Sequence, residues 1–441
     1  MNKIFVKIPQ ALSDEIKIDL RRPHEYAYER VGFVLGSSVE IGKNYWLIII
    51  NEYISIPDDM YIDAPEVGAK IDSHAISLAY KVSFSKRRSL FHIHLHDFIS
   101  GIPNFSSDDM IGIPGIIKSA QSVLPKHIHG MLVFSKDKVN GNVLLPSQDE
   151  LVDINRISVV GDQINISFPK SPLKKNRGAR YSRQSFLGNY SVDLISRIKI
   201  GIVGLSGGGS HIVQQSAHLG FKQYVLSDPQ KIDPKSNLNR LVGATLEDAK
   251  EQVFKFAISQ RIINNLHKDA IIQGGHEKWQ MFLDQYKTCD IVFGCLDTFS
   301  DRRDLEALCR RYSIPYIDIG MDISINSKSP IVYGQVQISI PGKACMKCNG
   351  YLSEENLAKE AGKYGIDDLH PQVVWSNGVL ASTAVGIAIE LITNWTGRIT
   401  ENYYLSYEGH LHKVDNHMKL DHLPKHCNHF PISESGPINY T

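Results

Sequence analysis

The chain has few cysteines and almost no excess of charge of either sign. Its 441 residues include six cysteines and carry a formal net charge of +1. Six cysteines in a chain of this length do not indicate the disulfide framework that stabilises small secreted domains. A near-neutral chain also gives no electrostatic basis for binding nucleic acid or an anionic membrane, so we expect neither as a partner.

The sequence also lacks a signal-peptide core and a long hydrophobic run. Residues 1–18 alternate polar and apolar side chains, and the most apolar late stretch, residues 378–392, is interrupted by Glu390. The first pattern differs from a secretory signal, and the second stretch is too short to span a bilayer. We therefore expect a soluble, cytoplasmic protein, long enough for two or three domains.

Residues 1–166 combine short strand-like runs with helix-like segments. Apolar runs near residues 31–35, 46–50, 89–94 and 130–134 have the composition of strands, and residues 109–123 have the composition of a helix. This pattern predicts an α+β domain. Residues 167–179 are basic, contain proline and show no apolar period, which indicates a linker.

Residues 180–441 alternate apolar strands and helices. We predict strands at 198–203, 223–227, 270–274, 289–294 and 315–319, helices at about 209–219, 247–265 and 300–312, and a more β-rich tail. Apolar strands without polar alternation, separated by helices, are typical of a doubly wound, Rossmann-like parallel sheet. The predicted fold class is therefore α/β, with a second domain that follows the α+β domain and the linker.

A glycine-rich turn follows the first strand of this second domain. Glycines can adopt the backbone conformation of a tight strand-to-helix turn and let a phosphate approach the backbone amides. The turn contains four of them: Gly204, Gly207, Gly208 and Gly209. Asp228 ends the next strand about twenty residues later, where a ribose hydroxyl is bound in such folds. Any mononucleotide or dinucleotide fold shares these features, including a hydride-transferring enzyme.

Polar and basic residues beyond Asp228 favour ATP over a dinucleotide. Asn237 and Arg240 follow the second strand, and Lys255 lies on the next helix. When a carboxylate attacks the α-phosphate of ATP, fixed cations stabilise the charge on the departing pyrophosphate. Asp297, at the end of a later strand, lies where it can hold Mg²⁺.

With these residues, the segment 180–395 resembles the ThiF/MoeB/HesA family of ATP-dependent adenylyltransferases, which are related to ubiquitin-activating enzymes. The motifs that carry the resemblance are Arg180-Tyr-Ser-Arg183-Gln184, the glycine turn, Asp228 with residues 236–240, Lys255, Cys295-Leu-Asp297, and the segment 341–348. The sequence departs from the family in having Ser206 where glycine is usual and Leu241 where glutamine often follows the arginine.

The resemblance implies roles for the residues that match it. Asp228 would bind the ribose, Arg240 and Lys255 the phosphates with help from Asn237, and Asp297 the Mg²⁺. Arg183 would reach the nucleotide bound by the second protomer of a homodimer. The implied reaction is adenylation of the C-terminal carboxylate of a small ubiquitin-like or sulfur-carrier protein.

Three further cysteines bear on whether the chain forms a thioester with its carrier. Ubiquitin-activating enzymes use a cysteine beyond the core, but residues 349–426 contain none. Cys289, Cys295 and Cys309 fall in or beside predicted strands and helices, which favours buried thiols. We therefore expect the chain to stop at the acyl-adenylate or to transfer it to a thiol on a partner.

Cys345 and Cys348 have the spacing of half a tetrahedral zinc site. The only later cysteine is Cys427, which lies between His426 and His429. A Cys₃His zinc site with one of these histidines is one interpretation, and a metal-free loop is the other.

A second group of candidate metal ligands lies in the first domain. His92, His94 and His96 alternate along a predicted strand, so their side chains share one face. Ser106 and Asp109 follow ten and thirteen residues after His96. Two histidines and a carboxylate leave one zinc position for water, which is the catalytic arrangement.

Residues 1–165 therefore resemble the JAMM/MPN family of zinc metalloproteases and deubiquitinases. The resemblance implies that Glu29 is the general acid/base, that His94, His96 and Asp109 bind zinc, and that Ser106 stabilises an oxyanion. Asp97 stands where proline is usual and the gap before Ser106 is longer, so His92 with His94 is the alternative pair. A second HxH pair, His127 and His129, has no SxxD after it.

The two halves together imply a shared substrate class. The second domain would activate a ubiquitin-like tail with ATP, and the first would process or deconjugate the same partner. Such a chain suits bacterial conjugation with a conjugating enzyme, as in antiphage operons, or sulfur transfer. The alternatives are adenylation of a small peptide or a tRNA, and a scaffold with one inactive half; the near-neutral charge disfavours tRNA.

Overall fold

The computed structural model describes residues 2–437 except 24, 26–27, 65–67, 234, 236, 326–328, 363–370 and 400–403. The chain divides into an N-terminal unit of residues 1–172, 311–313 and 431–441 and a C-terminal unit of residues 173–310 and 314–430. The division at 172/173 falls inside the predicted linker, whereas the two short segments of the N-terminal unit were assigned by sequence to the second domain.

Hydrogen bonds explain why the late segments belong to the N-terminal unit. The Gly436 N–H donates to the Arg311 carbonyl at 2.7 Å, and the Asn51 side chain donates to the Ser435 carbonyl at 2.8 Å. Asn51 lies on a central strand of this unit and is buried. These contacts join residues that are far apart in the sequence, and local composition gives no sign of them. A domain boundary predicted from local composition therefore misses the two segments.

The N-terminal unit is built on one nine-stranded mixed sheet. Its elements are β1 (Lys3–Pro9), α1 (Gln10–Leu20), β2 (Val31–Glu40), β3 (Tyr45–Ser55), α2 (Ser73–Lys86), β4 (Ser89–Leu95), α3 (Ser107–Val123), β5 (His129–Phe134), β6 (Val139–Leu144), β7 (Leu151–Asp153), β8 (Arg156–Val160) and β9 (Ile164–Ser167), with 3₁₀ turns at Asp58–Met60 and Ile432–Glu434. The strand order is β7-β6-β5-β4-β2-β3-β1-β8-β9.

Both faces of this sheet are covered. Helix α1 places Leu12, Ile16 and Leu20 in the larger hydrophobic core, and helices α2 and α3 contribute Ala75 and Ala120 to a second core. Strand β4 is buried at every position because it lies in the middle of the sheet between β2 and β5. The candidate histidines of β4 are therefore held by a rigid, fully paired strand.

The C-terminal unit contains an eight-stranded sheet flanked by helices. Its elements are α4 (Ser191–Arg197), β10 (Lys199–Val203), α5 (Gly207–Leu219), β11 (Gln223–Ser227), α6 (Leu246–Lys250), α7 (Lys255–Leu266), β12 (Ile271–Gly275), α8 (Leu283–Lys287), β13 (Ile291–Gly294), α9 (Phe299–Arg311), β14 (Tyr316–Ser324), β15 (Ile331–Ser339), α10 (Glu354–Gly362), α11 (Val374–Thr393), β16 (Tyr404–Glu408) and β17 (Lys413–Asn416), with 3₁₀ turns at Ser182–Leu187, Trp279–Phe282 and Met418–His422.

The sheet order explains where a nucleotide can bind. Strands run in the order β12-β11-β10-β13-β14-β15-β16-β17, of which the first five are parallel. Strand order reverses at β10, and ligands of open α/β sheets bind beyond the carboxyl ends of the strands at such a point. The predicted α/β class with a parallel sheet is confirmed for this unit, and the β-rich tail extends the same sheet with antiparallel strands.

Two helices differ from the sequence-based expectation. The predicted helix at 247–265 is interrupted near Gln252, whose φ of 51° is left-handed, so it forms α6 and α7. The apolar stretch at 378–392 begins earlier and forms the 20-residue helix α11, which is long and apolar enough to span a membrane by composition alone. The expectation that it is too short was wrong. However, 67% of its most apolar window is buried, as in a core helix, and it packs against α5, β14 and β15.

Candidate functional site

The turn between β10 and α5 can be made only by glycine at two positions. Gly204 has a φ of 85°, and a Cβ there would lie 2.3 Å from the Cys295 carbonyl oxygen. A Cβ on Gly209 would lie 1.9 Å from the carbonyl oxygen of Gly204. Any side chain at these positions would collide with backbone, so the tight approach of β10, α5 and the end of β13 requires both glycines.

The first turn of α5 has no side-chain cap among the described residues. Ser206 is the N-cap, but its side chain makes no capping hydrogen bond, and its buried hydroxyl has no partner among the described residues. Gly207 and Gly208 follow, where a Cβ would lie 2.5 Å from Asn377 and 2.4 Å from Ile319. Uncapped amides at a helix N-terminus bind phosphate. Ser206, which departs from the family pattern, adds an uncommitted hydroxyl at the same place.

Asp228 joins the glycine turn to the loop after β11. Its carboxylate accepts a 2.7 Å hydrogen bond from the Leu205 N–H and a 2.9 Å hydrogen bond from the Gln230 N–H. The residue is 5% exposed, and the Lys255 ammonium lies 4.0 Å from its Oδ2 atom. This carboxylate therefore fixes the loop that carries the glycines, and its role in binding a ribose stays a prediction.

Lys255 and Arg240 form a desolvated cationic pair beside Asp228. Lys255 is 1% exposed at the first position of α7 and donates a 2.5 Å hydrogen bond to the Gln230 side chain. Burial lowers the pKa of Lys255 and the pKa of Arg240. The charge of Asp297 opposes both shifts without reversing them. The Nε atom of Arg240 is buried without a partner in the described part of the chain. Cations held this way are ready to pair with a bound anion.

The remaining predicted residues of this site lie around the pair. Asp297 follows β13 and is exposed, and its charge reaches both Lys255 and Arg240. Asn237 is buried, and its side-chain oxygen accepts a 2.8 Å hydrogen bond from the Asp233 N–H, so it orders the loop that carries Arg240. Thus the structure gathers Asp228, Lys255, Arg240 and Asp297 at one edge of the sheet.

Sequence reasoning missed Glu360, which binds the start of α9 two residues after Asp297. The Glu360 carboxylate accepts hydrogen bonds from the N–H groups of Phe299 (2.7 Å) and Ser300 (3.0 Å), at the start of α9. It lies on α10, some sixty residues later in the chain, and no local pattern marks it. Its carboxylate complements the positive end of the α9 dipole.

Arg183 lies apart from this group. It is an exposed residue of the 3₁₀ turn Ser182–Leu187. Within the described residues, no ion pair involves Arg183, and no hydrogen bond links it to Asp228, Arg240 or Lys255. Its predicted role in a second protomer's site stays a prediction.

Four side chains meet at the predicted cysteine site. Cys345, Cys348, Cys427 and His429 each offer a ligand atom, and all four atoms lie within 4.8 Å of one another. The Cys345–Cys348 and Cys348–Cys427 sulfur distances are 3.6 and 3.8 Å, and both Cys345 and Cys348 sulfurs lie 3.4 Å from His429 Nδ1. Zinc bonds of about 2.3 Å to sulfur in a tetrahedron give sulfur–sulfur distances of about 3.8 Å. The donor set fits zinc, and the histidine is His429 rather than His426.

Helix α9 supports the loop that carries Cys345 and Cys348. The buried Glu306 carboxylate accepts a 2.9 Å hydrogen bond from the Met346 N–H, and Arg310 donates to the Lys343 carbonyl. The hydrogen bond from Cys345 lowers the pKa of Cys427, and the charge of Arg310 acts in the same direction. Helix α9 therefore holds this loop in place, and the Cys427 thiol from the later segment is biased towards the thiolate that binds metal.

Of the other three cysteines, Cys289 and Cys309 are buried and Cys295 is half-buried. Cys289 and Cys309 are 0% exposed, and burial raises the pKa of the Cys295 thiol well above its usual range. A thiol in such surroundings is a poor nucleophile. This agrees with the expectation that none of the three carries a thioester.

Comparison with known proteins decides the family. A model of the ThiF family matches residues 181–428, more than half of the chain. The chain belongs to the ThiF family. The matched segment contains the glycine turn, the pair Lys255 and Arg240, and the three cysteines of the cysteine cluster, and it ends one residue before His429.

Curated relatives of this ThiF-family chain are activating enzymes for ubiquitin-like modifiers. It is 23% identical over 275 residues to ubiquitin-like modifier-activating enzyme 5 of Gallus gallus, which covers 58% of this chain and 63% of the relative. It is 29% identical over 171 residues to SUMO-activating enzyme subunit 2 of Dictyostelium discoideum, covering 37% of this chain and 23% of the relative. The chain thus spans less than two thirds of these relatives.

Among solved structures, the chain is similar to the microcin C7 biosynthetic enzyme MccB in complex with N-formylated MccA. The identity is 19%, the TM-score is 0.47, and the match covers 59% of this ThiF-family chain and 77% of the other. The structure of E. coli MccB with ATP has a TM-score of 0.44 at 20% identity, covering 55% and 71% of the two chains.

The N-terminal unit of this ThiF-family chain brings together His94, His96 and Asp109. Their ligand atoms lie within 4.8 Å of one another, and Asp109 Oδ2 lies 3.3 Å from His94 Nε2 and 3.9 Å from His96 Nε2. Burial raises the pKa of Asp109, but the nearby His94 ring lowers it further, so the pKa lies well below its usual range. Both ring nitrogens of His94 are buried without a hydrogen-bond partner in the described chain. This donor set fits zinc.

The geometry resolves the choice of histidine pair. His92 lies on the same face but is outside the cluster, and burial lowers its pKa to about 3. The His127–His129 pair is engaged with backbone instead. His129 accepts from the Leu90 N–H at 3.2 Å and contacts the Leu124 carbonyl at 3.1 Å, which uses both ring nitrogens. His94 with His96 is therefore the pair that can bind metal.

Ser106 and Glu29 lie beside this cluster. The Ser106 hydroxyl donates to Asp109 Oδ2 at 2.8 Å and accepts from the Asp109 N–H at 3.1 Å, which forms a capping box at the start of α3. Its structural role is to orient Asp109, and the oxyanion role stays a prediction. Burial lowers the pKa of His96, and the charge of Glu29 opposes this shift, so the two side chains are near each other. Asp97, next to His96, pairs with Arg21 at 2.7 Å.

Proposed function

We propose that this ThiF-family chain uses ATP to adenylate the C-terminal carboxylate of a ubiquitin-like or sulfur-carrier protein. The observation that carries the proposal is the cationic pair of the buried Lys255 and the half-buried Arg240 beside Asp228 and the glycine turn. A dinucleotide site needs backbone amides but no such pair, whereas departure of pyrophosphate does.

The residues of this site bind the nucleotide and stabilise the developing charge, and none of them transfers a proton. A carboxylate oxygen of the carrier attacks the α-phosphorus of ATP, the bond from that phosphorus to the bridging oxygen breaks, and pyrophosphate leaves. The α5 amides and Asp228 hold the nucleotide, while Lys255 and Arg240 face the charge that develops on pyrophosphate. Asp297 would hold Mg²⁺, which supplies further positive charge to the phosphates when bound.

Arg183 supports the proposal of a homodimer. It is an exposed cation without an ion pair in the described chain, and it belongs to the motif at residues 180–184. In a homodimer it would complete the phosphate site of the second protomer. Mixing an Arg183→Ala protein with an Asp228→Ala protein then restores activity through hybrid sites, whereas a monomeric enzyme shows none.

We also propose that the N-terminal unit is a JAMM/MPN-type zinc isopeptidase or protease that processes or deconjugates the same partner. His94, His96 and Asp109 would hold the zinc, which supplies Lewis-acid activation of water when bound. Glu29, near His96, would take and return the proton, and Asp109 is held for binding by Ser106. The Cys₃His cluster would hold a second, structural zinc.

The substrate proposal rests on the pairing of the two sites. The relatives named above activate ubiquitin-like modifiers, and a peptidase that cuts beside such a tail would share that substrate. A conjugating enzyme would be a further partner if the system attaches the carrier to proteins, as in an antiphage operon, while sulfur transfer would use the same adenylate.

Exchange of labelled pyrophosphate into ATP tests the adenylation. We expect exchange that depends on a carrier ending in Gly-Gly and is lost when its last glycine is removed. Exchange stimulated by a short peptide or by tRNA, with no response to any carrier, would replace the proposed substrate by the alternative. ATP binding without exchange under all conditions would favour a scaffold.

A further inference from the structure

A pocket lined by positive charge lies in the C-terminal unit and has no role in the proposed reaction. Its volume is about 300 Å³, and five of its lining residues are cations: Lys174, Lys175, Arg177, Arg180 and Lys222. The whole chain has a net charge of only +1, so this concentration of one sign is a local feature. A cavity of this size is at the lower end of the range for small-molecule sites.

Few acidic groups neutralise these cations. Asp193 is the only acidic residue that lines the pocket, and it is paired with Arg197 at 2.7 Å. Asp269 pairs with Lys222 at 2.7 Å but is exposed. In the described part of the chain, Lys174, Lys175 and Arg177 have no ion pair. Three cations that are close together and unpaired repel one another, and a bound anion would relieve that repulsion.

The segment that carries these cations is fixed in place. The Asn176 N–H donates to the Asn189 carbonyl at 2.7 Å, and its side chain donates to the Gly188 carbonyl at 2.8 Å and accepts from the Val192 N–H at 3.1 Å. The Lys174 N–H donates to Asp193 at 2.8 Å. Residues 174–177, predicted from sequence as part of a linker, therefore form an ordered wall.

A second wall comes from the opposite side of the pocket. Arg180 donates to the Leu266 carbonyl at 3.0 Å and lies 5.3 Å from the centre of the Tyr181 ring. Tyr181 packs against Gly220, where a Cβ would lie 3.2 Å from its ring. Two arginines with planar guanidinium groups thus border the cavity, which favours ligands with bidentate oxygen pairs such as phosphates.

The pocket is separate from the predicted ATP site. Gly220 and Lys222 directly precede β11, and His267 precedes β12, so the pocket lies at the amino ends of the parallel strands. The glycine turn and Asp228 follow the carboxyl ends of β10 and β11. Five-residue strands hold the two edges roughly 17 Å apart.

We propose that this pocket binds a small molecule carrying a chain of two or three phosphates, at a site distinct from the one that adenylates the carrier. The pocket is open to solvent and most of its cations are exposed, but its small volume and the number of unpaired cations fit a compact polyanion better than an extended acidic peptide. Free polyphosphate and the phosphate tail of a nucleotide share this chemistry. The proposal does not depend on the adenylation reaction, so either can fail alone.

Calorimetric titration of tripolyphosphate into the full-length protein tests the proposal. The protein carries Arg240→Gln throughout, to weaken phosphate binding at the predicted ATP site. In this background the double variant Lys175→Gln/Arg177→Gln, whose side chains have no ion pair in the described chain, is compared with Lys81→Gln/Lys118→Gln. The control removes the same charge from two exposed helix positions of the N-terminal unit.

We expect saturable binding that the pocket variant weakens roughly tenfold or more and the control leaves within about threefold, because charged hydrogen bonds to phosphate are strong. GDP as a second probe identifies the source: tighter binding than tripolyphosphate indicates a nucleotide, and weaker binding indicates free polyphosphate. Three results would overturn the proposal: no saturable binding, equal weakening by both variants, or tighter binding of hexaglutamate than of tripolyphosphate.

Discussion

The two clusters of metal-binding residues differ in how completely the protein fills them. Cys345, Cys348, Cys427 and His429 supply four donors with the edge lengths of a tetrahedron, whereas the histidine cluster supplies three. Closed four-donor sites are structural, and sites with three protein ligands keep a position for water and substrate. The number of protein donors therefore distinguishes a structural site from one suited to hydrolysis.

The surroundings of the clusters differ in the same way. The cysteine cluster joins a loop supported by Glu306 and Arg310 to a segment some eighty residues later, so metal there ties distant parts of one unit together. In the histidine cluster, His94 lies on β4, which is buried and paired on both sides, His96 follows the end of that strand, and Asp109 lies in the first turn of α3. Removing metal should therefore unfold part of one unit and leave the other folded.

The largest effect is expected from the fourth ligand of the cysteine cluster. His429→Ala should release the zinc of this site and lower the unfolding temperature of the C-terminal unit, because structural zinc contributes on the order of 10 kcal/mol to folding in small zinc domains. Metal analysis and thermal unfolding measure this. The neighbouring His426→Ala is the matched control, and equal effects of both variants would contradict the assignment of His429.

The next largest effect is expected at the histidine cluster. Glu29→Gln should slow cleavage of a carrier precursor by roughly 10² to 10⁴-fold, the range for a lost general base, while its zinc stays bound. His94→Ala should abolish cleavage and release the zinc without lowering the unfolding temperature by more than a few degrees.

Glu15→Gln, an exposed change on α1, is the control for Glu29. If Glu29→Gln cleaves at the normal rate, or if His94→Ala unfolds the N-terminal unit, the contrast between an open catalytic site and a closed structural site fails.

The cationic pair at the glycine turn should act independently of both metal sites. Arg240→Gln should slow pyrophosphate exchange by roughly 10² to 10³-fold, as when one fixed stabilising group is lost. Cleavage by the N-terminal unit should not change. Lys250→Gln removes an exposed charge paired with Glu247 and serves as the control. Normal exchange by the Arg240 variant would refute its role.

The smallest effect concerns the second HxH pair, which has a structural role. Burial lowers the pKa of His129 to about 4 from 6.5. The unfolded chain therefore binds the proton more tightly, and stability present above pH 6.5 is lost as the pH falls towards 4, by roughly 3 kcal/mol. Chemical unfolding of the N-terminal unit at pH 7 and pH 4.5 measures the loss, and His129→Gln should flatten it. An unchanged slope in the variant would contradict this.

The structural features that depend only on local sequence pattern could be predicted from the sequence. The strand at 223–227 and the glycine turn follow from apolar runs and backbone sterics, and the structure has β11 at the same residues. The spacing of Cys345 and Cys348 likewise indicated a metal site without further information. These features need only neighbours along the chain.

The choice between similar residues could not be predicted because it depends on tertiary packing. His426 and His429 are equivalent in sequence, and only the folded loop brings His429 to the sulfurs. Glu360 reaches the start of α9 from some sixty residues away. The length of α11 was underestimated because its first turns contain polar residues. The helix includes them because it packs against α5, β14 and β15.

Intact-protein mass spectrometry after one turnover tests the proposed reaction most directly. The protein is mixed with ATP, Mg²⁺ and a carrier ending in Gly-Gly, and both proteins are weighed. We predict that the carrier gains one adenylyl group while the mass of this chain does not change, because Cys289 and Cys309 are buried and the pKa of the Cys295 thiol is raised. A reducible adduct of the carrier on this chain, or a carrier that never gains the adenylyl group, would contradict the account.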